Sequence, residues 1–581
     1  MTNSAFIKGA VSAAALLAGI VTAFATAPSG TLPVLHIDTA NGTEITSKEY
    51  YLTATYWLDA NGIEGVESFG SEDSPLTTEI KARGNYSWTG FDKKPYKLKL
   101  ADKTALLGMK KHKHFALMAR ADDSFGYLRD QVGFELSRRM GLAWTPDDKP
   151  VELYLNGDYK GLYFLTETIK VDKNRVNITE QEDNATNETA ITGGWLVEID
   201  NYNTDPHVTV TGGDGQDIWF TYKSPEVLST AQETFLYDEM SNLNTAIYAT
   251  DKTSTDLENL VDLNVLARYY LVQEIMDDCE SFHGSCYLYR DRGENQKWMF
   301  GPVWDFGNSF ARGNKDFIYN NPPFHQTWIG EIAKFPAFKA KCKEVLIEFV
   351  NNSYDGLNDY IDTFIDKIRD AAAADVERWP AYGNSNLDAK KKDVKKRVAN
   401  NITWLCEQFG VGYTPQPETD IYLRGQFNNW QTSTPFTSIG YGLYQIDNIS
   451  FSGEFKVASS DWSTVNYGSN GQNIKLDEPY YMVQGVNDNI RTDEAFDNVS
   501  VTFDSTLGSL LVSSSSKIDT VQAEQLAPIS VSGRTVTAAG QISVYTVLGT
   551  LVMRANNLVT LPAPGLYIII TSSGSTTLAV N

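Results

Sequence analysis

The chain reads as a multi-domain protein, an α+β region in two lobes followed by all-β sandwich domains. Three observations carry that reading. At 581 residues the chain exceeds what a single hydrophobic core supports, so roughly two to four domains are expected. Strand signals dominate from about Leu32 to Ser224, and helix signals take over from Pro225 to about Gly410. Beyond the stretch YTPQPETD, which starts at Tyr413, helix signals vanish and lysine density falls.

Taken in order, residues 1–27 carry an early Lys8, an apolar run from Ala10 to Ala25, and small residues Ala23, Ala25 and Ala27 at candidate cleavage sites. That is the pattern of a secretory signal peptide. No other apolar run approaches the ~18 residues that a membrane helix needs, so no span is expected in the mature protein. Within the first lobe, Tyr96, Leu98 and Leu100 alternate with Lys97 and Lys99, the period of a half-buried strand with cations on its open face. Leu128, Val132, Leu136 and Met140 recur at helical spacing and Gly141 supplies a stop, which predicts one embedded helix. Asn156-Gly157 between VELYL and GLYFL predicts a hairpin. The second lobe, about 225–410, includes a helix from Val261 to Met276, and residues 411–419 read as a linker.

The formal charge of −24 argues against nucleic acid as a partner and against anionic membranes. Between Lys81 and His114, however, ten Lys or Arg face only Asp92 and Asp102, a basic island in an acidic protein. Two readings stand for it, a solvated strand face and a phosphate-facing surface. Four cysteines, Cys279, Cys286, Cys342 and Cys406, allow up to two disulfides in an exported protein. A bridge between Cys279 and Cys286 would clamp the loop they flank, and buried free thiols are the other reading.

Cys286 to Arg290 and Trp298 to Pro302 read as two strands around a polar turn with Gly293. A hairpin there brings the acidic loop from Asp277 to Ser285 beside Asp305 in KWMFGPVWDFGNSF. Protein kinases converge a catalytic loop and a metal-binding D-F-G aspartate in this way. Here the triplet is Asp305, Phe306 and Gly307, and Glu280 precedes Ser285 by the spacing of the kinase catalytic Asp and Asn.

Six motifs extend that likeness in order: KARGNYSW at Lys81, KKPYKLKL at Lys93, YLRDQVGFELSRRMG at Tyr127, VELYLNGDYKGLYFLTE at Val151, GGWLVEID at Gly193, and the hairpin with GPVWDFG. Over about residues 75–410 the chain resembles the CotH family of spore-coat-type atypical kinases. The resemblance implies a bilobal protein-kinase-like domain over 32–410, with ATP and Mg²⁺ or Mn²⁺ as ligands and Ser or Thr of surface or secreted proteins as acceptors. Many members carry Asn-x-Asp, then Asn, then Trp-Asp-x-Asp; here those places hold Asp278, Glu280, Ser285, Trp304, Asp305 and Gly307. Role by role, Asp305 is the expected metal ligand with Ser285 as the second, and Glu280 is the expected base with Asp278 as its alternative. Lys97 is the first choice for the nucleotide phosphates, with Arg83 and Lys94 as rivals. Glu167 and Glu198, acids in apolar strands, are expected to line the nucleotide cleft.

From 420 to 515, IYLRGQFNNWQ and GEFKVASSDWSTVNYG resemble the carbohydrate-binding sandwich modules of starch-binding outer-membrane proteins and isoamylase-type enzymes. Trp430 and Trp462 are the candidate stacking platforms for sugar rings, against a reading as core residues. Residues 518–581, with ISVYTVLGTLVMRANN and LPAPGLYIIITSSG, resemble the C-terminal sorting domain of the Bacteroidetes type IX secretion route. That likeness implies a translocon as partner and a place at the outer cell surface or beyond. An exported kinase and a catalytically silent, polysaccharide-binding scaffold or adhesin are the two functions these features allow.

Overall fold

The structure is a computed structural model. It describes residues 28–293, 295–312, 315–320, 322–354, 356–412, 421–440, 443–505, 507–514, and the strands between 530 and 580. The leader expected over 1–27, residues 413–419 of the expected linker and residues 518–529 of the final segment lie outside the described residues.

Seven strands close a barrel. They are β1 (Val34–Thr39), β2 (Leu52–Asp59), β3 (Leu76–Ala82), β4 (Tyr96–Thr104), β5 (His112–Met118), β6 (Asp148–Leu155) and β7 (Asp158–Glu167). Their order is β1-β2-β3-β4-β5-β7-β6, and the parallel pairing of β1 with β6 closes the ring, so no edge strand is left unpaired. In β4 the alternation works as expected: Tyr96, Leu98 and Leu100 are buried inside the barrel while Lys97 and Lys99 face outward. The β6–β7 turn places both Asn156 and Gly157 at positive φ (52° and 74°), the geometry that an Asn-Gly hairpin turn requires.

The short helix α1 (Tyr86–Thr89) lies between β3 and β4, and α2 (Leu128–Arg139) lies between β5 and β6. Leu128, Val132, Leu136 and Met140 of the α2 segment are buried, and Gly141 follows with φ 76°.

A second sheet has the order β12-β11-β8-β10-β9, with β8 (Trp195–Asp200), β9 (His207–Thr211), β10 (Asp217–Ser224), β11 (Cys286–Arg290) and β12 (Met299–Phe300). Two expectations change here. Strands β8 to β10, expected in the same lobe as the barrel, instead pair with the hairpin strand β11. The second hairpin strand is also shorter than Trp298 to Pro302. Trp298 spends its backbone N–H on Leu260 and pairs with Val261, and Pro302 has no N–H to offer.

The helices α3 (Thr230–Ile247), α4 (Asp256–Leu260), α5 (Leu263–Met276), α6 (Ile329–Ile332), α7 (Pro336–Asn352), α8 (Leu357–Arg378) and α9 (Leu387–Phe409) pack with this sheet around one large apolar core. No helix among the described residues is long and apolar enough to cross a membrane. Residues 421–514 form two further sheets over a shared core that includes Leu423, Phe455, Val501 and Phe503. The strands between 530 and 580 make another sheet. All four cysteines are free and buried, so the Cys279–Cys286 bridge does not form. Cys279 Sγ instead faces the Asn308 carbonyl at 3.8 Å, and burial pushes the Cys286 thiol up to about 12.

One buried ion pair ties the barrel to the helices. Lys93, in the connection before β4, and Asp375 of α8 are both 1% exposed and lie 2.8 Å apart. Lys93 also donates to the Leu162 carbonyl at 2.7 Å, while Asp375 accepts from Tyr127 Oη and from the Leu162 N–H. Gly161 lacks a side chain where one would strike the Asp375 carboxylate. Removing one partner strands a buried charge, which costs about 3–5 kcal/mol. Asp375→Ala is therefore expected to lower unfolding free energy by about that amount in urea titrations. A variant within about 1 kcal/mol of wild type would mean that the pair is not the tie described here.

Candidate functional site

The acidic loop and Asp305 meet where β11 and the segment after β12 lie side by side. Helix α5 ends at Asp277, whose backbone sits in the left-handed region (φ 49°) and turns the chain out of the helix. Asp277 itself is engaged by Arg312 and, at 3.7 Å, by Lys315, so its charge is spent on holding the following segment. Asp278 is 1% exposed and accepts the Glu280 N–H at 3.2 Å. Burial, joined by the charges of Glu280 and Asp305, holds its carboxyl well above the usual carboxylate range. Glu280 is clasped between two amides, Asn308 and Asn201, the latter at 3.3 Å, and burial raises its carboxyl.

Asp305 has φ 60°, a strained backbone for a non-glycine residue. Asp305 is exposed by surface area, yet many protein atoms crowd around its carboxyl, which is pushed up to about 6. Burial is the main cause, the charges of Asp130 and Glu280 add to it, and Arg83 opposes it. The next residue anchors the segment. The Phe306 N–H donates to Asp130 Oδ1 of α2 at 3.1 Å, and the buried Phe306 ring presses on Gly133, where any side chain would overlap it.

Asp122, from the loop before α2, was not singled out in the sequence. Its carboxyl is also pushed up to about 6, mainly by burial, with Arg129 pulling it down and Asp123 and Asp305 pushing it up. A Cβ built on Gly307 would lie 3.1 Å from Asp305 Oδ1 and 3.3 Å from Asp122 Oδ2, so the two carboxylates border one small space that glycine leaves open. Among the described residues no group of three or more His, Cys, Asp or Glu is spaced to hold a metal. Two hard oxygen donors completed by water and phosphate oxygens are nevertheless a usual magnesium arrangement. Ser285 has φ 51° at the foot of β11, but the Glu280 carboxylate bonds to Asn308 and Asn201.

The cations separate clearly. Arg83 Nη1 donates to the Met118 thioether at 2.6 Å, its guanidinium lies 5.8 Å from the Trp304 ring, and it acts electrostatically on Asp305. Lys97 is pulled down to about 8 by burial first, then by Lys170, Lys81 and Arg83. Lys81 and Lys97 are cross-strand partners of β3 and β4, with Arg83 and Lys170 within electrostatic reach. Lys94 is different: its Nζ donates to the Trp88 carbonyl at 2.6 Å and lies over the Trp88 ring, so it serves its own loop. Glu198 is raised to about 7 by burial, opposed by Lys223 at 2.9 Å, and it adjoins Tyr287. Glu167 accepts the Asp147 N–H at 3.0 Å and faces Arg175 at 4.0 Å, contacts that fasten the end of the barrel. Asp122, Asn201 and Asn308 are the residues that sequence reasoning passed over. Only Asn308 had a local signal, its place directly after the triplet.

Trp430 and Trp462 lie together, ring centroids 6.1 Å apart at 48°, with the Arg424 guanidinium 3.7 Å from the Trp462 ring. Both are partly exposed, stand outside the core cluster and have positive φ (61° and 60°).

The Asp305 shift fixes a sign for pH dependence. A carboxyl whose folded value, about 6, exceeds its ordinary 3.8 contributes stability that is present below about 3.8 and lost as pH rises through about 6. Asp305→Asn lacks that loss, so its melting temperature is expected to gain on wild type between about pH 4 and about pH 7. A difference that does not change over this window would place Asp305 in an ordinary aqueous setting.

The comparison with curated proteins finds no match. The family model described as CotH kinase protein matches residues 80–407, which hold the barrel strands from β4 onward, the second sheet, the helices and the Asp305 site. That match spans more than half of the chain, and the protein belongs to the CotH kinase family.

Proposed function

We propose that this is an exported, ATP-dependent protein kinase acting on Ser or Thr of surface or secreted proteins. The observation that carries the reading is that Asp305 lies within electrostatic reach of both a carboxylate, Glu280, and a cation, Arg83. Phosphoryl transfer asks for that arrangement: positive charge for the phosphates, carboxylates for a divalent cation, and a base for the acceptor hydroxyl. Asp305 and Asp122 are the residues that would hold Mg²⁺ or Mn²⁺, which when bound would offset charge on the phosphates. Arg83, with Lys97 within its electrostatic reach, would meet the phosphate oxygens. The acceptor oxygen bonds to the γ-phosphorus, the bond to the ADP oxygen breaks, and the acceptor proton passes to Glu280. A carboxylate with a raised pKa is a better proton acceptor, which suits Glu280 to that role.

In this reading the barrel and the helical part are the two lobes of a kinase-like domain. The sheets of 421–514 are a sandwich module, and the final segment directs type IX export to the outer surface. Asp305→Ala removes a ligand and no core volume, so it is expected to keep the fold while abolishing the ATP·Mg²⁺-dependent rise in melting temperature. Wild type at 100 times its dissociation constant gains about 2.7 kcal/mol. An equal rise in the variant would remove Asp305 from the nucleotide site.

A second reading, a kinase-like surface scaffold that binds polysaccharide, draws support from the paired tryptophans. Two indoles outside the core, each on a left-handed backbone and partly exposed, lie side by side beside Arg424, a pair of flat apolar faces within reach of a sugar ring. Trp430→Ala and Trp462→Ala are expected to weaken retention in α-glucan affinity electrophoresis while circular dichroism stays native. Wild-type protein without retention on glucan would leave the module as a spacer.

A further inference from the structure

Between α5, α7, α9 and the segment that follows the acidic site lies a cavity of about 350 Å³. That volume falls inside the roughly 300–1,000 Å³ of small-molecule sites. Its interior is aromatic. Phe317 stacks on Tyr319 with centroids 5.2 Å apart and planes within 6°, and Tyr270 meets Phe338 at 5.4 Å.

Two exposed lysines of α7, Lys339 and Lys343, line the same cavity. Four residues apart on a helix, they share one face, where like charges repel. The neighbouring lysines of this stretch have partners: Lys334 pairs with Glu331, and Lys341 pairs with Glu344 at 2.5 Å. Among the described residues Lys339 and Lys343 take part in no ion pair, although the chain carries 73 acidic residues against 49 basic ones. Lys343 Nζ lies near Gly410 at the C-terminal end of α9, so an aromatic interior beside two ammonium groups outside any ion pair is complementary to a molecule with a flat apolar body and one negative end.

We propose that this cavity binds a small aromatic carboxylate, its ring among Phe317, Tyr319 and Phe338 and its carboxylate toward Lys339 and Lys343. The Asp305 site contributes no residue to this cavity, and the proposal does not rest on phosphoryl transfer. Ring burial supplies apolar area, and the lysines supply charge-assisted hydrogen bonds that a neutral analogue cannot accept as strongly.

The test is calorimetric titration of the full chain with 1-naphthoate and with its neutral counterpart, 1-naphthalenemethanol. Wild type is expected to bind naphthoate at least about tenfold more tightly than the alcohol. In the Lys339→Met/Lys343→Met double variant that preference is expected to fall below about threefold while affinity for the alcohol stays near wild type. Both lysines are on the surface, and an unchanged melting temperature checks the fold. Absence of saturable naphthoate binding by wild type, equal affinity for the two probes, or a preference that survives in the double variant would each overturn the proposal.

Discussion

The Asp130 carboxylate is the point on which the acidic site depends. One of its oxygens accepts the Phe306 N–H, and the other accepts Arg120 Nε at 3.1 Å. Arg120 is buried and also binds Asp148 of β6 and the Tyr127 carbonyl, while Asp148 accepts from Thr166 of β7 and Gln131 of α2. A network of this kind is stable only when every member is satisfied, and it then holds one geometry. Through it the barrel wall, α2 and the backbone just after Asp305 are fixed to one another. Gly133 completes the constraint sterically, because only a residue without a side chain lets the Phe306 ring sit against α2.

A second tie sets where the cations stand. Lys93 lies just before β4, so its pairing with Asp375 of α8 anchors the strand that carries Lys97. Burial pulls the Lys93 ammonium down and Asp375 pushes back. The pair's net worth is small, but loss of either partner would strand the other as a buried charge. The acidic site is the reverse case: Asp278, Glu280, Asp305 and Asp122 all have raised carboxyl values with Arg83 and Arg129 as the opposing cations. Excess negative charge in partial burial costs stability, because each carboxylate disfavours the charged form of its neighbours.

Much of the local structure was legible because it depends on spacing alone. The alternation of Tyr96, Leu98 and Leu100, the four-residue repeat from Leu128 to Met140 and the Asn156-Gly157 turn each need only near neighbours to take their form. The meeting of the Asp277–Ser285 loop with Asp305 was also readable, since a hairpin dictates which ends lie together. Asn201 and Asp122 were not readable, for they arrive from the bend just after β8 and from the loop before α2, far away in the chain.

The sequence by itself determined local elements such as β4, α2 and the β6–β7 turn, the hairpin that unites the acids, and membership of the CotH kinase family, whose model matches residues 80–407. Tertiary structure alone decided the closure of the barrel by the parallel pairing of β1 with β6, and the transfer of β8 to β10 to the sheet of β11. It also decided the roles of neighbouring lysines. Lys93 and Lys94 are adjacent in the chain, yet one is sealed against Asp375 and the other lies over Trp88. Charge type is written residue by residue, but the partner and burial of Lys93 depend on α8, hundreds of positions away, and no local pattern encodes them.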